Sequence, residues 1–290
     1  MCGWCIHRPV FYGCDEQMVT DFGDCLLIPA MNDMHVHAPQ YRNQGIAMDL
    51  WLQNYTFPEE KKYVDVSYAE RMYRRFIRDL WRFGTMWACV FATIHTESTR
   101  LLMHLFQEAG MGAMVGKVAM NRNCPLDLAE TLDKMIQGNE ALIAEFNQPN
   151  ALVRPIITPR FVPSCTPDML QACGDLAAKY QMPVQSHLSE NLSEIALVHS
   201  LEKESTSYGD AYNRYGLFGQ TPTIMAHCVW TAGEEPGYEF DALVIDDHDL
   251  NYSDYSLLHR LERYIYLGDD RQIVHRFCRG EEIPEPKIRH

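Results

Sequence analysis

No stretch of this sequence is long and apolar enough to cross a bilayer; the longest apolar run, "MWACVFATI", has the length of a strand. The chain opens "MCGWCIHRPVF", without a basic stretch leading into an apolar run, so no secretory signal is expected. Positive charge is in the minority: 25 Lys and Arg against 39 Asp and Glu give a net charge of -14. That balance argues against nucleic acid or an anionic membrane as a general partner. Internal repeats and low-complexity tracts are missing too, and no second cysteine pair completes a zinc site with Cys2 and Cys5. What remains is an acidic globular protein of 290 residues, 47% hydrophobic, enough for one large α/β domain or two smaller ones. Its ten cysteines are scattered, several of them (Cys25, Cys89, Cys228) inside apolar runs. They read as reduced, buried thiols, and a cytoplasmic address is the expectation.

From residue 25 to 230 the pattern alternates between short apolar runs and amphipathic stretches. The runs are "CLLIPAM", "MWACVFATIH", "GAMVGKVAM", "LVRPIITPRFV", "MPVQSHLS" and "TIMAHCVW". Between them, "YAERMYRRFIRDLWRFG" spaces Met72, Phe76, Leu80 and Phe83 for one helix face. "STRLLMHLFQEAG" ends on a glycine suited to a helix C-terminus, and "PDMLQACGDLAAKYQ" opens on a proline suited to a first turn. Strand and helix in alternation predict a parallel sheet covered by helices. Six units in about 200 residues match the repeat of a (β/α)₈ barrel, whose chemistry sits at the carboxyl ends of the strands. His35, His37, Arg160, His187 and His227 all fall near such ends. Beyond Trp230 the alternation stops: an acidic, turn-rich segment leads to strand-like "FDALVID", a helix in "DYSLLHRLERYIYLG" and a strand-like "QIVHRFCRGEEI".

The polar residues suggest a metal. His35 and His37, two apart in a strand, project from one face, and His187 and His227 each add a further imidazole. Neutral imidazoles suit zinc or iron. Glu190, three residues past His187, can serve as a proton shuttle beside a metal-bound water, or can simply open the following helix. A lone histidine is more often structural than a ligand, and His104, His199, His259 and His275 are assigned that way.

"MHVHAPQY", "NYTFPEE", "FATIHTE", "PIITPRFVPSC", "PVQSHLSEN", "YGDAY" and "TIMAHC" together resemble the guanine deaminases, zinc aminohydrolases of the amidohydrolase superfamily. The resemblance covers roughly residues 20–230 and resumes at "EFDAL" and "YLGDDRQI". It implies a zinc ion, with ferrous iron as the alternative, held by His35, His37, His187 and His227. It implies Glu190 as proton shuttle, and Gln40, Arg160, Phe161 and Trp51 around the purine. The expected reaction is hydrolysis of guanine to xanthine and ammonia by a chain that pairs as a homodimer. Physically, an amide and a guanidinium can read ring donors and acceptors, and an aromatic can pack on the ring face. Arg160 in a structural salt bridge and Phe161 in plain core packing are the competing readings.

The family's pattern is not complete here. It closes the zinc shell with an aspartate at the end of barrel strand 8, and no matching segment follows "AHCVW". Most of the sandwich strands that precede "DCLLIPAMND" are missing, and Ala30 stands where glycine is common. The expected organisation is a sandwich remnant over residues 1–24, an incomplete α/β barrel of amidohydrolase type over 25–231, and a sandwich remnant with a helix over 232–290. Asp246 or Asp247 is a conceivable substitute ligand. Two alternatives to guanine hydrolysis stay open: a shortened, inactive metal-binding remnant, and an aminohydrolase acting on another aminated heterocycle.

Overall fold

Residues that are apolar on both sides of a strand belong in a sheet covered on both faces. The computed structural model describes residues 31–45 and 52–230, with short pieces at 242–245, 259–260, 273–278 and 281–282. β1 (Met31–His37) pairs in parallel with β2 (Thr85–Phe91), and β2 with β3 (Gly112–Gly116). After Lys117 the third strand resumes as β4 (Val118–Ala119). The fourth is split likewise into β5 (Val153–Pro155), parallel to β3, and β6 (Thr158–Pro159), parallel to β4. Ile157 bridges to Val184 of β7 (Val184–Leu188), which pairs in parallel with β8 (Thr223–His227). The result is a run of six parallel strand positions. Among the described residues β1 and β8 each pair on one flank only, so this part of the barrel stays open.

The third and fourth strands can approach closely because Gly116 has no side chain. A Cβ there would stand 1.7 Å from Thr158 Oγ1 and 2.6 Å from Gln185 Nε2. Gln185 fills the space inside: its amide donates to the Val90 carbonyl at 3.1 Å and to Thr158 Oγ1 at 2.9 Å. Cys89 Sγ donates to its other end at 3.0 Å. A buried amide satisfied on three sides fixes the spacing of strands far apart in sequence.

The helices follow their local signals. Asp65 caps α2 (Val66–Arg82), following the short α1 (Phe57–Glu60), by accepting from the Ser67 amide at 2.9 Å. α3 (Thr96–Glu108) ends at Gly110, whose φ of +66° suits a residue without Cβ. α4 (Leu132–Phe146) starts at a Thr131 cap, and α5 (Pro167–Tyr180) carries its proline in the first turn, as the sequence suggested. α6 (Leu192–Leu201) and α7 (Tyr208–Asn213) complete the outer layer, capped by Asn191 and Ser207.

Met72 and Phe76 of α2 pack with Leu102 and Phe106 of α3 over Val90 and Val115. Burying a Phe such as Phe76 or Phe106 contributes about 1.5–3 kcal/mol. Phe83 departs from the expected stripe: the helix has ended at Arg82, and Phe83 is 74% exposed. A second cluster joins α5, α6 and α7 to β7 through Leu170, Leu176, Leu188, Val198, Tyr208 and Tyr212. A third, with Phe57, Phe91, Ile94 and Met120, lies across the carboxyl ends of the early strands.

Further along, β9 (Ala242–Ile245), β10 (Ile273–Cys278) and β11 (Glu281–Glu282) form an antiparallel sheet. It coincides with the strand-like pieces read from "FDALVID" and "QIVHRFCRGEEI". Residues 1–24, Trp51, Asp246 and Asp247 lie outside the described residues. Cys89, Cys165 and Cys173 are free and buried, Cys124 is free and half-buried, and Cys228 is half-buried. Among the described residues no helix is long and apolar enough to cross a membrane.

Candidate metal centre and active site

Strand geometry brings the imidazoles together. His35 and His37, on one face of β1, place their ring centroids 5.0 Å apart. His187, at the matching end of β7, lies 4.8 Å from the first ring and 5.0 Å from the second. One nitrogen from each of these three residues falls within 4.8 Å of the others. His227, at the end of β8, packs beside them with centroids 5.2 Å from His35 and 5.4 Å from His187, but lies outside that nitrogen cluster. Phe91 floors the site, stacked on His37 at 4.5 Å and tilted against His187 at 4.6 Å.

The His187 tautomer follows from its neighbour. Nδ1 lies 2.6 Å from the Arg160 carbonyl, an acceptor only, so Nδ1 carries the proton and Nε2 presents a lone pair. That lone pair faces His37 Nε2 at 2.9 Å. Two ring nitrogens this close need a shared proton or a cation between them. Burial, and next the charge of His227, pull the His35 imidazole down to about 4. Burial also holds His37 and His187 well below the usual histidine range, reinforced by the other imidazoles. At neutral pH the three are uncharged donors, the form a metal requires. On a tetrahedral zinc with bonds of about 2.0–2.1 Å, two nitrogens stand about 3.3 Å apart. The observed spread, from 2.9 Å up to 4.8 Å, brackets that value. The donor set fits a divalent metal.

Around the cluster, Glu190 follows Ser189, whose φ of +53° turns the chain sharply after β7. Its Oε2 lies 3.7 Å from His227 Nε2, with the carboxylate 31% exposed. Gln40, in the turn Ala38–Asn43 directly after β1, has its Nε2 shielded from solvent with no hydrogen-bond partner. Arg160 is buried, donating from Nη1 to Glu60 Oε2 at 2.9 Å, with its guanidinium 5.5 Å over the Phe57 ring. Glu60 Oε1 is shielded and unpartnered. Burial raises the Glu60 carboxyl, opposed by Arg160. Phe161 sits in extended backbone, its ring edge-on to His187 at 6.3 Å. Sequence reasoning missed Glu60 and Phe91; both sit in quoted segments, but only distance in space reveals their partners.

Parallel strands with imidazoles clustered at their carboxyl ends are the arrangement in which barrel-fold metalloenzymes place their sites. The chain belongs to the amidohydrolase family, whose sequence profile matches residues 26–251. It is 41% identical over 226 residues to a guanine deaminase of Dictyostelium discoideum, covering 76% of this chain and 50% of that protein. A guanine deaminase of Escherichia coli is 36% identical over 219 residues, covering 74% of this chain and 49% of the relative. The chain thus spans about half the length of these curated relatives. A crystal structure of guanine deaminase from C. acetobutylicum with guanine bound in the active site superposes with a TM-score of 0.70 at 38% identity, covering 88% of this chain and 86% of that one.

Proposed function

We propose that this chain is a zinc-dependent aminohydrolase that converts guanine and water to xanthine and ammonia. The observation carrying this reading is the cluster of three neutral imidazoles, one tautomer already fixed, at the strand ends of an amidohydrolase barrel. His35, His37 and His187 would hold the metal, with His227 as a further ligand or a partner of Glu190. Zinc is the first choice and ferrous iron the second, since imidazole suits both. Bound there, a divalent metal makes water a nucleophile at neutral pH.

The chain's own residues do the rest. Glu190 accepts the proton that the attacking water gives up and returns it to the purine as the amino group departs. Gln40 Nε2 has an unused N–H pair for an acceptor on the purine ring. Glu60 Oε1 offers the complementary acceptor, held in place by Arg160. Phe161 and Trp51 are assigned to the faces of the ring. Phe91 and Phe57 exclude water from beneath the cluster. The related guanine deaminases, one of them solved with guanine bound, support guanine as substrate; a cytoplasmic location and pairing with a second copy of the chain belong to the proposal and rest on the family resemblance alone.

A second reading has one observation in its favour. Among the described residues no carboxylate joins the imidazole cluster. A chain that binds metal without turning over guanine would look the same in this respect. The deciding experiment measures zinc content and xanthine formation on one purified sample. One zinc per chain with xanthine release is expected; zinc without xanthine selects the second reading, and no zinc overturns both.

A further inference from the structure

The tyrosines of α7 are fully buried, yet the packing alone gives no reason for their hydroxyls. Tyr208 and Tyr212, four residues apart, share one helix face and stack nearly parallel, 9° between planes and 5.6 Å between centroids. Phenylalanines would fill the same space without the cost of burying a polar group. Each hydroxyl instead reaches an element of the site. Tyr212 donates to the His187 main-chain carbonyl at 2.8 Å. Its oxygen also lies 2.7 Å from Ser186 Oγ, which in turn sits 2.7 Å from the Pro159 carbonyl and 3.3 Å from that of Arg160. The Arg160 carbonyl is the group that fixes the His187 ring. Tyr208 donates to Glu194 Oε1 at 2.7 Å, and the Glu194 amide donates to Asn191 Oδ1 at 2.9 Å, beside Glu190.

We propose that Tyr208 and Tyr212 are positioning residues that set the metal ligand His187 and the carboxylate Glu190 relative to each other from behind the strand. Tyr212 acts on the ligand, through the main chain of β7 and the Arg160 carbonyl. Tyr208 acts on the shuttle, through the first turn of α6. Neither touches the substrate or the metal. The inference rests on the reading of the site as a zinc aminohydrolase.

The test uses the full chain with Tyr212→Phe and Tyr208→Phe, each keeping its ring and losing its hydroxyl. Zinc affinity is measured by competition with a chromophoric chelator, ligand geometry by the visible spectrum of the cobalt(II) form, and kcat and KM with guanine. Tyr212→Phe is expected to weaken zinc binding by about 10–100-fold and to change the cobalt spectrum. Tyr208→Phe is expected to leave zinc affinity and KM unchanged and to lower kcat by about tenfold or more. Two variants that match the unaltered chain in zinc affinity, spectrum and kcat overturn the proposal, whatever their thermal stability. Should Tyr212→Phe not fold, Ser186→Ala reads the same contact. An unaltered chain without zinc overturns the parent reading and this one with it. An unaltered chain that binds zinc without turnover overturns only the guanine step, and the Tyr212 arm still decides on zinc affinity.

Discussion

Arg160 and Glu60, a hundred residues apart in the chain, form an ion pair at 2.9 Å with both side chains only 3% exposed. Removing one partner of such a pair strands the other charge in a medium that cannot solvate it, at about 3–5 kcal/mol. Glu60→Ala should lower unfolding free energy in urea by that amount. Glu60→Gln, which keeps an acceptor for the guanidinium, should lose less. Equal losses in the two variants would mean that the charge is not what holds Arg160.

Glu190 lies 3.7 Å from His227, the imidazole beside the cluster, and is exposed enough to exchange protons with solvent. Glu190→Gln keeps the shape and removes the base. Guanine turnover should drop by about 10²–10⁴-fold, the usual weight of a positioned acid–base group, with zinc content unchanged. A Gln variant with undiminished kcat assigns the proton transfer elsewhere.

Glu194 supplies a pH signature. Burial, helped by the negative charge of Glu190 and opposed by the Tyr208 hydroxyl, raises its carboxyl from 4.5 to about 7. Between those values the folded chain binds this proton and the unfolded chain does not, so stability falls as pH rises across that window. The full loss, reached above about pH 7, is on the order of 3 kcal/mol for a shift of this size. Denaturant unfolding between pH 4.5 and 7.5 should show that decline, and Glu194→Gln should flatten it. A Gln variant with the same slope places the linked proton on another group.

Gly174 reverses an ordinary rule. A mid-helix Gly→Ala change usually stabilises a helix. Here, however, a Cβ on Gly174 of α5 would stand 1.8 Å from the Tyr215 carbonyl oxygen, a main-chain atom that cannot swing aside. Gly174→Ala should therefore destabilise the chain, by about 1–3 kcal/mol as overpacking does. A higher melting temperature for the Ala variant contradicts the close approach.

The strands were legible because sheets covered on both faces leave continuous apolar runs, and β7 is buried at every position. His35 and His37 were legible for a different reason: two imidazoles with one residue between them, shortly after the apolar run "CLLIPAM", project from one face of a strand. The surface contact of His104 with Glu145 at 3.0 Å likewise agrees with its assignment as structural. What the chain does not announce is pairing at a distance. The ion pair of Arg160, the three-sided grip on Gln185 and the hydroxyls of α7 each join residues whose neighbourhood exists only after folding. Phe83 was misplaced because periodicity continues past the point where the Gly84 turn, at φ +78°, ends the helix.

The carboxyl ends of β7 and β8 leave their strands through left-handed backbone at Ser189, His227 and Cys228, with φ of +53°, +74° and +51°. The two bends are tied together, since the Cys228 amide donates to the Leu188 carbonyl at 2.9 Å and the Trp230 amide to that of Ser189 at 3.3 Å. Side chains in this region cost roughly 1–2 kcal/mol each. A glycine at 228 would relieve that tension but hand the bend a loose hinge, and the imidazole just before it would lose its aim. Strain here works like a wound spring, trading sturdiness for a fixed direction.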